Sequence, residues 1–482
     1  MSDPVTLMLL LPLLGAVLCW LVPASLARPV ALLVSVATLT QALRVTAGLP
    51  ADGPLRVPLG GWEAPAGIEL SITGFGLLMV AVSALVTAAL VVFAMREPGL
   101  PVRAWTSLTL LALAAMGTLY TSGDLFNIYV GLELLGVAAV GLVATGSDRR
   151  TLRAGIRYLT GAFAGSLAYL MGVAILYRTS GSLALHQVDG SGHAEAAALA
   201  LITVGLMLKA GAFPVHFWLP VAHAASPASV SPLLSGLVTK ASIFVLLRAW
   251  VEAVPGAATP AAATLVGILG CAAILWGSLQ ALLSPHIKPI IAYSTVAQLG
   301  YLLVGVPLIV VAAAGYEAAT LAWTGLAIYC AAHAIAKSAL FLSAGVIVHA
   351  MGSTRIDGLA GAAGRMPMAT TAWLLATIAL IGLPPSLGFV GKWYLLLAAL
   401  EAGQWWWLLP IAGGGLLTAA VLVRAARRFF TPAPEDMVVE RRHLREAPAL
   451  VLALVAVVTG FVAIPIIELT TAGAPFTAEL EP

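Results

Sequence analysis

Residues 205–223 read GLMLKAGAFPVHFWLPVAH, an apolar helical pattern that holds Lys209 and, five positions on, Pro214. Proline removes a helical hydrogen bond and frees carbonyls, which membrane depth tolerates only where protein or water satisfies them. Residues 378–396, IALIGLPPSLGFVGKWYLL, repeat the combination, with Pro384 and Pro385 ahead of Lys392. Both stretches therefore predict broken membrane helices. Paired interruptions in the two halves of a transporter point to inverted repeats and to the ion path.

Working outward, apolar runs of about 20 residues recur from end to end, each long enough to cross a hydrocarbon core ~30 Å thick. The 482 residues are 61% hydrophobic and only 9% charged, where a soluble chain carries about a quarter charged. An all-α integral membrane protein of about fourteen spans is expected, near 4–22, 29–47, 73–95, 104–122, 125–145, 156–177, 196–219, 228–251, 261–283, 289–311, 318–350, 369–399, 405–429 and 447–469. Breaks fall in spans 7 and 12. The run 318–350 is too long for one straight crossing, and Gly, His and Lys in its middle suggest a further break. The first run, Leu7 to Leu21, has no basic residue ahead of it and no persuasive cleavage site, so it reads as a span rather than a signal peptide.

The connections give an orientation. Those after odd-numbered spans hold sixteen of the Lys and Arg residues, from Arg28 through Arg149, Arg150 and Lys288 to Arg445, whereas the opposite connections offer only Arg44, Arg56 and Arg178. Basic residues in short loops stay in the cytoplasm, so both termini are expected on the outer face of a cell inner (cytoplasmic) membrane. The two breaks lie five spans apart. That odd separation sends the two helices in opposite directions, as an inverted repeat of spans 4–8 and 9–13 requires. The expected organisation is residues 1–103 as three N-terminal spans, 104–252 and 261–430 as five-helix repeats, and 431–482 as a cytoplasmic loop and span 14.

Four lysines fall inside spans, Lys209, Lys240, Lys337 and Lys392, while Glu133, in IYVGLELLGVAAV, is the one acidic residue in mid-span. Each such charge costs at least ~2.5–3.5 kcal/mol unless it is hydrated or paired. A single Glu–Lys pair can be a static tie, but an excess of ammoniums over carboxylates holds nothing together. Burial disfavours a charged ammonium and an adjoining carboxylate favours it, so a lysine that gains or loses its Glu partner can take up or release a proton. Glu133 and Lys209 are the natural pair, with Lys240, Lys337 and Lys392 carrying the proton onward. His333, four residues before Lys337 on one helical face, is placed to bridge. His216 and His223, near Trp218 and Pro220, fall in the cytoplasmic connection after span 7, where a proton entrance and a tie for a tight loop are equally open readings.

Other polar and aromatic groups have plainer roles. Arg248, near the outer end of its span, is expected to snorkel to the headgroups. Asp124 and Asn127 read as a helix cap, and Trp405, Trp406 and Trp407 as an interfacial anchor. The mixed-charge loop TPAPEDMVVERRHLREAP reads as a linker or a partner contact. Cys19, Cys271 and Cys330 lie far apart in apolar runs and form no disulfide, zinc or iron–sulfur pattern. No cofactor, bound metal or nucleic-acid partner is expected.

These residues carry a resemblance. Residues 208–248, LKAGAFPVHFWLPVAHAASPASVSPLLSGLVTKASIFVLLR, resemble the signature of the proton-translocating antiporter-like subunits of respiratory complex I, membrane-bound hydrogenases and Mrp-type cation/proton antiporters. HIKPIIAYSTVAQLGY, HAIAKSALFLSAG and GLPPSLGFVGKW resemble its later blocks in the same order, so the likeness runs from about residue 70 to 430. It implies a fourteen-helix fold with a five-helix inverted repeat, Glu133 and Lys209 as the ion pair, Lys240 as the central lysine, His333 and Lys337 on the eleventh helix, and Lys392 as the terminal lysine. TSGDLFNIYVGLELLG is most similar to the D-type component of Mrp antiporters and its hydrogenase relatives, whereas the Ala-His pair in WLPVAHAASP is more typical of respiratory subunits. His286 stands where most members place an acid. The chain ends soon after span 14, so the long lateral helix of the largest complex I antiporter-like subunit is not expected.

The function expected is a proton-translocating subunit of a multisubunit Na+/proton antiporter, without redox or covalent chemistry of its own. The alternative is a proton-pumping subunit of a complex I-type dehydrogenase or membrane-bound hydrogenase. Either way the partners are other membrane subunits, the bilayer, protons and, in the exchanger, Na+.

Overall fold

The structure, a computed structural model, describes residues 2–50, 53–62, 64, 67–97, 99–146, 148–188, 190–311, 316–432 and 443–476. Among these, twelve helices are long and apolar enough to cross a membrane: Pro4–Leu21, Ala24–Thr46, Gly74–Ala94, Val102–Thr121, Leu125–Ala144, Arg149–Ser180, His193–Ala210, Ser231–Ala253, Pro260–Leu283, Ile287–Val310, Tyr316–Met351 and Trp405–Phe429. Two pairs of shorter helices complete the order, one of them apolar enough as a bent pair to make a thirteenth span. Pro367–Ile381 and Leu387–Glu401 flank the second proline break, and Arg445–Val458 and Ala463–Thr471 meet at a 78° bend. In chain order these are spans 1–14, the pairs being spans 12 and 14. The mixed-charge loop lies largely outside the described residues.

Burial sorts the bundle into an axis and a periphery. In the apolar windows of spans 8, 10 and 11, 94%, 89% and 83% of residues are buried, against 33% in spans 1 and 2. Spans 8 and 11, which carry Lys240 and Lys337, therefore run through protein on all sides, which is where charges at membrane depth can be satisfied. Spans 6 and 7 cross so closely that a Cβ on Gly205 would come 2.5 Å from the Gly165 carbonyl oxygen.

Spans 7 and 12 break as the prolines predict. Span 7 ends at Ala210 on the left-handed Gly211 (φ 66°), and the chain turns helical again only at Leu219–Ala225. The first half of span 12 ends at Ile381 on the left-handed Gly382 (φ 83°), and Ser386 caps the second half by accepting from the Phe389 amide at 3.2 Å. The Phe213–Pro214 and Pro384–Pro385 peptide bonds are cis.

Several expectations are corrected. Span 11 is one unbroken helix of 36 residues, Tyr316–Met351. It contains no proline to interrupt its ladder, and Gly325 serves packing, since a Cβ there would lie 3.0 Å from the Gly391 carbonyl oxygen of span 12. At ~1.5 Å per residue such a helix outruns the hydrocarbon core, and its end turns, at Tyr316 and Glu317 and at His349, are exposed. Span 14 is bent rather than straight, because Gly460 packs against the backbone of Pro385 and Ser386 where span 12 opens. Trp405 and Trp406 are exposed as an anchor requires, but Trp407 turns inward and donates to Gln404 Oε1 at 2.7 Å. An antiparallel hairpin of Leu55–Pro58 and Glu69–Ile72 in the connection between spans 2 and 3 was not anticipated.

Candidate functional site

The breaks present the outermost lysines of the array. Lys209 lies in the last turn of the first half of span 7, where its Nζ sits 3.1 Å from Glu133 Oε1 on span 5 and donates to the Leu132 carbonyl at 3.2 Å. Ser166 on span 6 donates its hydroxyl to the same Glu133 oxygen. Trp218, beyond the break, caps the Leu208 carbonyl through its indole N–H at 2.8 Å. Lys392, on the second half of span 12, reaches back to the carbonyls of Ile381 at 2.9 Å and Leu380 at 3.4 Å. Its ammonium lies 4.2 Å from the centre of the Tyr301 ring, a favourable cation–π contact.

Polar groups of spans 8 and 10 lie between the two central lysines. Lys240 donates to the Ser235 carbonyl and to Thr239 Oγ1, next to a π-helical turn at Leu234–Val238. Ser235 Oγ lies 2.7 Å from Thr295 Oγ1 on span 10. The neighbouring Ser294 accepts from Lys337 Nζ at 2.6 Å, and the Ile291 carbonyl does so at 3.1 Å. A cavity of about 10 Å³ lined by Lys209, Val238 and Ser242 separates Lys209 from span 8, close to the room one water needs.

His333 is buried between the central and terminal lysines. It lies within electrostatic reach of Lys240, Lys337 and Lys392, its ring is stacked on Tyr329 at 6.1 Å, and both ring nitrogens lack a hydrogen-bond partner among the described residues. Tyr329 also donates to Gln298 Oε1 on span 10, and Gln298 Nε2 donates to Thr418 on span 13 at 2.9 Å. Ser166, Ser235, Ser294, Thr295, Gln298 and Tyr329 are thus site groups that the sequence reading passed over. For Ser294, Thr295 and Gln298 the signal was the polar string YSTVAQ inside an apolar run.

The two histidines expected in the connection after span 7 are not in one loop. His216 lies half-buried within the break of span 7, stacked on Phe213. His223 is on the short second half-helix, fully buried against the Phe341 ring of span 11 at 4.9 Å, within electrostatic reach of Lys337, Lys240 and Lys288. The span therefore resumes after its break instead of giving way to a connection.

Arg248 does not snorkel. Its side chain is 1% exposed, and Nε and Nη2 grip the Glu252 carboxylate at 2.8 and 2.6 Å. An acid four residues on in the same helix keeps the guanidinium inside the protein. Asp124 caps span 5, accepting from the Asn127 amide at 2.6 Å, and His286 meets Thr354 Oγ1 at 3.0 Å.

A helical membrane protein with two broken spans and a lysine array at its axis is the class this geometry defines. Residues 122–418 match the family model described as NADH:quinone oxidoreductase/Mrp antiporter, TM, and the chain belongs to that family. It is 34% identical over 364 residues to NADH-quinone oxidoreductase subunit N of Desulforudis audaxviator, covering 73% of this chain and 70% of that one. It is 27% identical over 360 residues to the D-type component of the Na(+)/H(+) antiporter of Alkalihalophilus pseudofirmus, covering 72% and 70%. A chain in the solved Mrp complex from Dietzia sp. superposes with a TM-score of 0.90 at 25% identity, covering 99% of this chain and 98% of that one.

Proposed function

We propose that this chain is the proton-translocating subunit of a multisubunit Na+/proton antiporter, passing protons along Glu133, Lys209, Lys240, His333, Lys337 and Lys392. The observation that carries the reading is the row of polar groups between Lys240 and Lys337: Lys240 donates to the Ser235 carbonyl, Ser235 Oγ meets Thr295 Oγ1 at 2.7 Å, and Lys337 donates to the adjoining Ser294 at 2.6 Å. His223, buried behind the break, is the entrance from the cytoplasmic side, with His216 at its mouth. Residues 104–252 and 261–430 act as the two repeats, with 1–103 and 431–482 flanking them. Both termini face outward from the cytoplasmic membrane, on the asymmetry of Lys and Arg between the connections. Glu133 is itself 35% exposed on the flank of the bundle. A carboxylate at that depth is costly against lipid, which supports a neighbouring membrane subunit covering it.

The second reading is a proton-pumping subunit of a redox complex, favoured by the higher identity to a quinone oxidoreductase subunit. Purification of the tagged chain from native membranes in mild detergent separates them. Small antiporter-type partners and sodium-dependent proton flux support the first, and iron–sulfur or flavin partners establish the second. Isolation of a fully active chain without partners would overturn both.

A further inference from the structure

A cavity of about 430 Å³ opens beside span 8, lined among others by Arg56, Ser71, Thr73, His186 and Glu252. Its walls come from the connections after spans 2, 4 and 6, the end of span 8, and residues 473–475 beyond span 14. All of these follow even-numbered spans, so in the proposed orientation the cavity is an outer vestibule. Glu69 stands at its rim, 3.7 Å from both Arg56 and His186. Burial and the Arg56 charge hold the His186 imidazole below its usual value, with Glu69 opposing them.

The floor of the vestibule is built on one face of span 8. Lys240, Phe244, Arg248 and Glu252 follow at intervals of four residues, ~6 Å apart along the axis. Glu252 is 17% exposed, and Arg248, behind it, 1%. The guanidinium lies 5.7 Å from the centre of the Phe244 ring, and its Nη1 donates to the Ser122 carbonyl. Phe244 in turn meets Phe75 and Tyr120 edge-on at 4.8 and 5.0 Å, and these three rings are fully buried.

We propose that Arg248, held by Glu252 and Ser122 on the layer of Phe244, Phe75 and Tyr120, seals the outer vestibule from Lys240. The inference rests on the reading of Lys240 as a relay group. A guanidinium keeps its proton throughout the physiological range, so Arg248 cannot carry protons onward. With its charge balanced by Glu252, Arg248 closes the constriction by filling it and by taking up the Glu252 oxygens and the Ser122 carbonyl, and the apolar layer behind it interrupts a water chain. Protons on Lys240 are thereby denied the short way out and are directed to the second half of the bundle. Without the seal, the gradient would discharge through the first half and exchange would lose its coupling.

The test uses membrane vesicles containing the assembled complex, an imposed pH gradient acidic on the outer side, and no exchangeable cation. Arg248→Gln and Phe244→Ala should each discharge the gradient several-fold faster than the unaltered protein, while Phe244→Leu should hold it. Adding Lys240→Ala to Phe244→Ala should restore tightness. Assembled Arg248→Gln and Phe244→Ala variants that stay tight overturn the proposal, and so does a leak that survives Lys240→Ala. Should those variants not assemble, labelling decides in a background without Cys19, Cys271 and Cys330. A membrane-impermeant thiol reagent added outside should modify Ser71→Cys and spare Ser242→Cys, and modification of the latter overturns the seal. The relay reading fails separately, if Lys240→Ala alone keeps full coupled transport.

Discussion

Lys209 Nζ lies 3.1 Å from Glu133 Oε1, one residue before the helix that carries it ends at Ala210. The lysine is nearly buried and the carboxylate is 35% exposed, so the pair sits where a charge can be redistributed between the bundle and its flank. Breaking a fully buried pair costs ~3–5 kcal/mol, and the exposure of Glu133 places this pair below that range. In Glu133→Gln, Lys209 keeps the Leu132 carbonyl, so the complex should still assemble. Proton flux should fall at least about tenfold, the equivalent of ~1.4 kcal/mol on the barrier. Flux in vesicles, normalised to complex recovered by co-purification, measures both, and full flux from Glu133→Gln and Lys209→Gln alike would sink the relay.

Lys392 closes the array at the other break, held by the Ile381 carbonyl and the Tyr301 ring. Lys392→Ala should slow proton release to the outer side more than uptake from the cytoplasm. Pre-steady-state pH changes followed on the two faces of the vesicle distinguish them. Equal slowing of both, or none, would mean that the path leaves elsewhere.

The sequence showed the breaks and the interior charges because proline, glycine and lysine are rare and costly at membrane depth. Pro214 and Pro384 mark the places where spans 7 and 12 open, and Gly211 and Gly382 end the helices before them. What escaped notice was decided by partners distant in the chain. Ser235 and Thr295 are ordinary small residues until spans 8 and 10 bring their hydroxyls together. Arg248 near a span end reads as a snorkelling group until Glu252 and Ser122 are seen to hold it. The apparent break in span 11 came from judging Gly325, His333 and Lys337 as interruptions. Gly325 packs on span 12 and Lys337 bonds to Ser294 of span 10, while His333 stacks on Tyr329 one turn back in its own helix, and the helix continues through all three.

The polar row between Lys240 and Lys337 makes a prediction of its own. Thr295→Val preserves shape but removes the oxygen that faces Ser235, and Ser294→Ala removes the shorter of the two acceptors of Lys337. Loss of one buried hydrogen bond costs ~1–3 kcal/mol when the partner is left unsatisfied. Both variants should assemble with proton flux reduced about tenfold, and Thr295→Ser should restore most of it. Thr295→Val with unchanged flux would show that Lys240 and Lys337 communicate by another route.

The crossing of spans 6 and 7 holds the ion pair in place from behind. A Cβ on Gly205 would stand 2.5 Å from the Gly165 carbonyl oxygen, and one on Gly165 would stand 3.1 Å from Lys209 Cγ. Neither obstacle is the free end of a flexible chain, so the helices must separate to admit a methyl group. Overpacking of this kind costs ~1–3 kcal/mol, and here it also carries Lys209 away from Ser166 and Glu133. Gly205→Ala should therefore lower the thermal midpoint of the purified complex and reduce flux together. Gly413→Ala provides the contrast, since nothing lies within 4 Å of its added Cβ and alanine gains up to ~1 kcal/mol of helix propensity. That variant should be as stable as the unaltered protein or more so, with flux unchanged. If Gly205→Ala left both midpoint and flux intact, the close crossing would not be what positions the lysine.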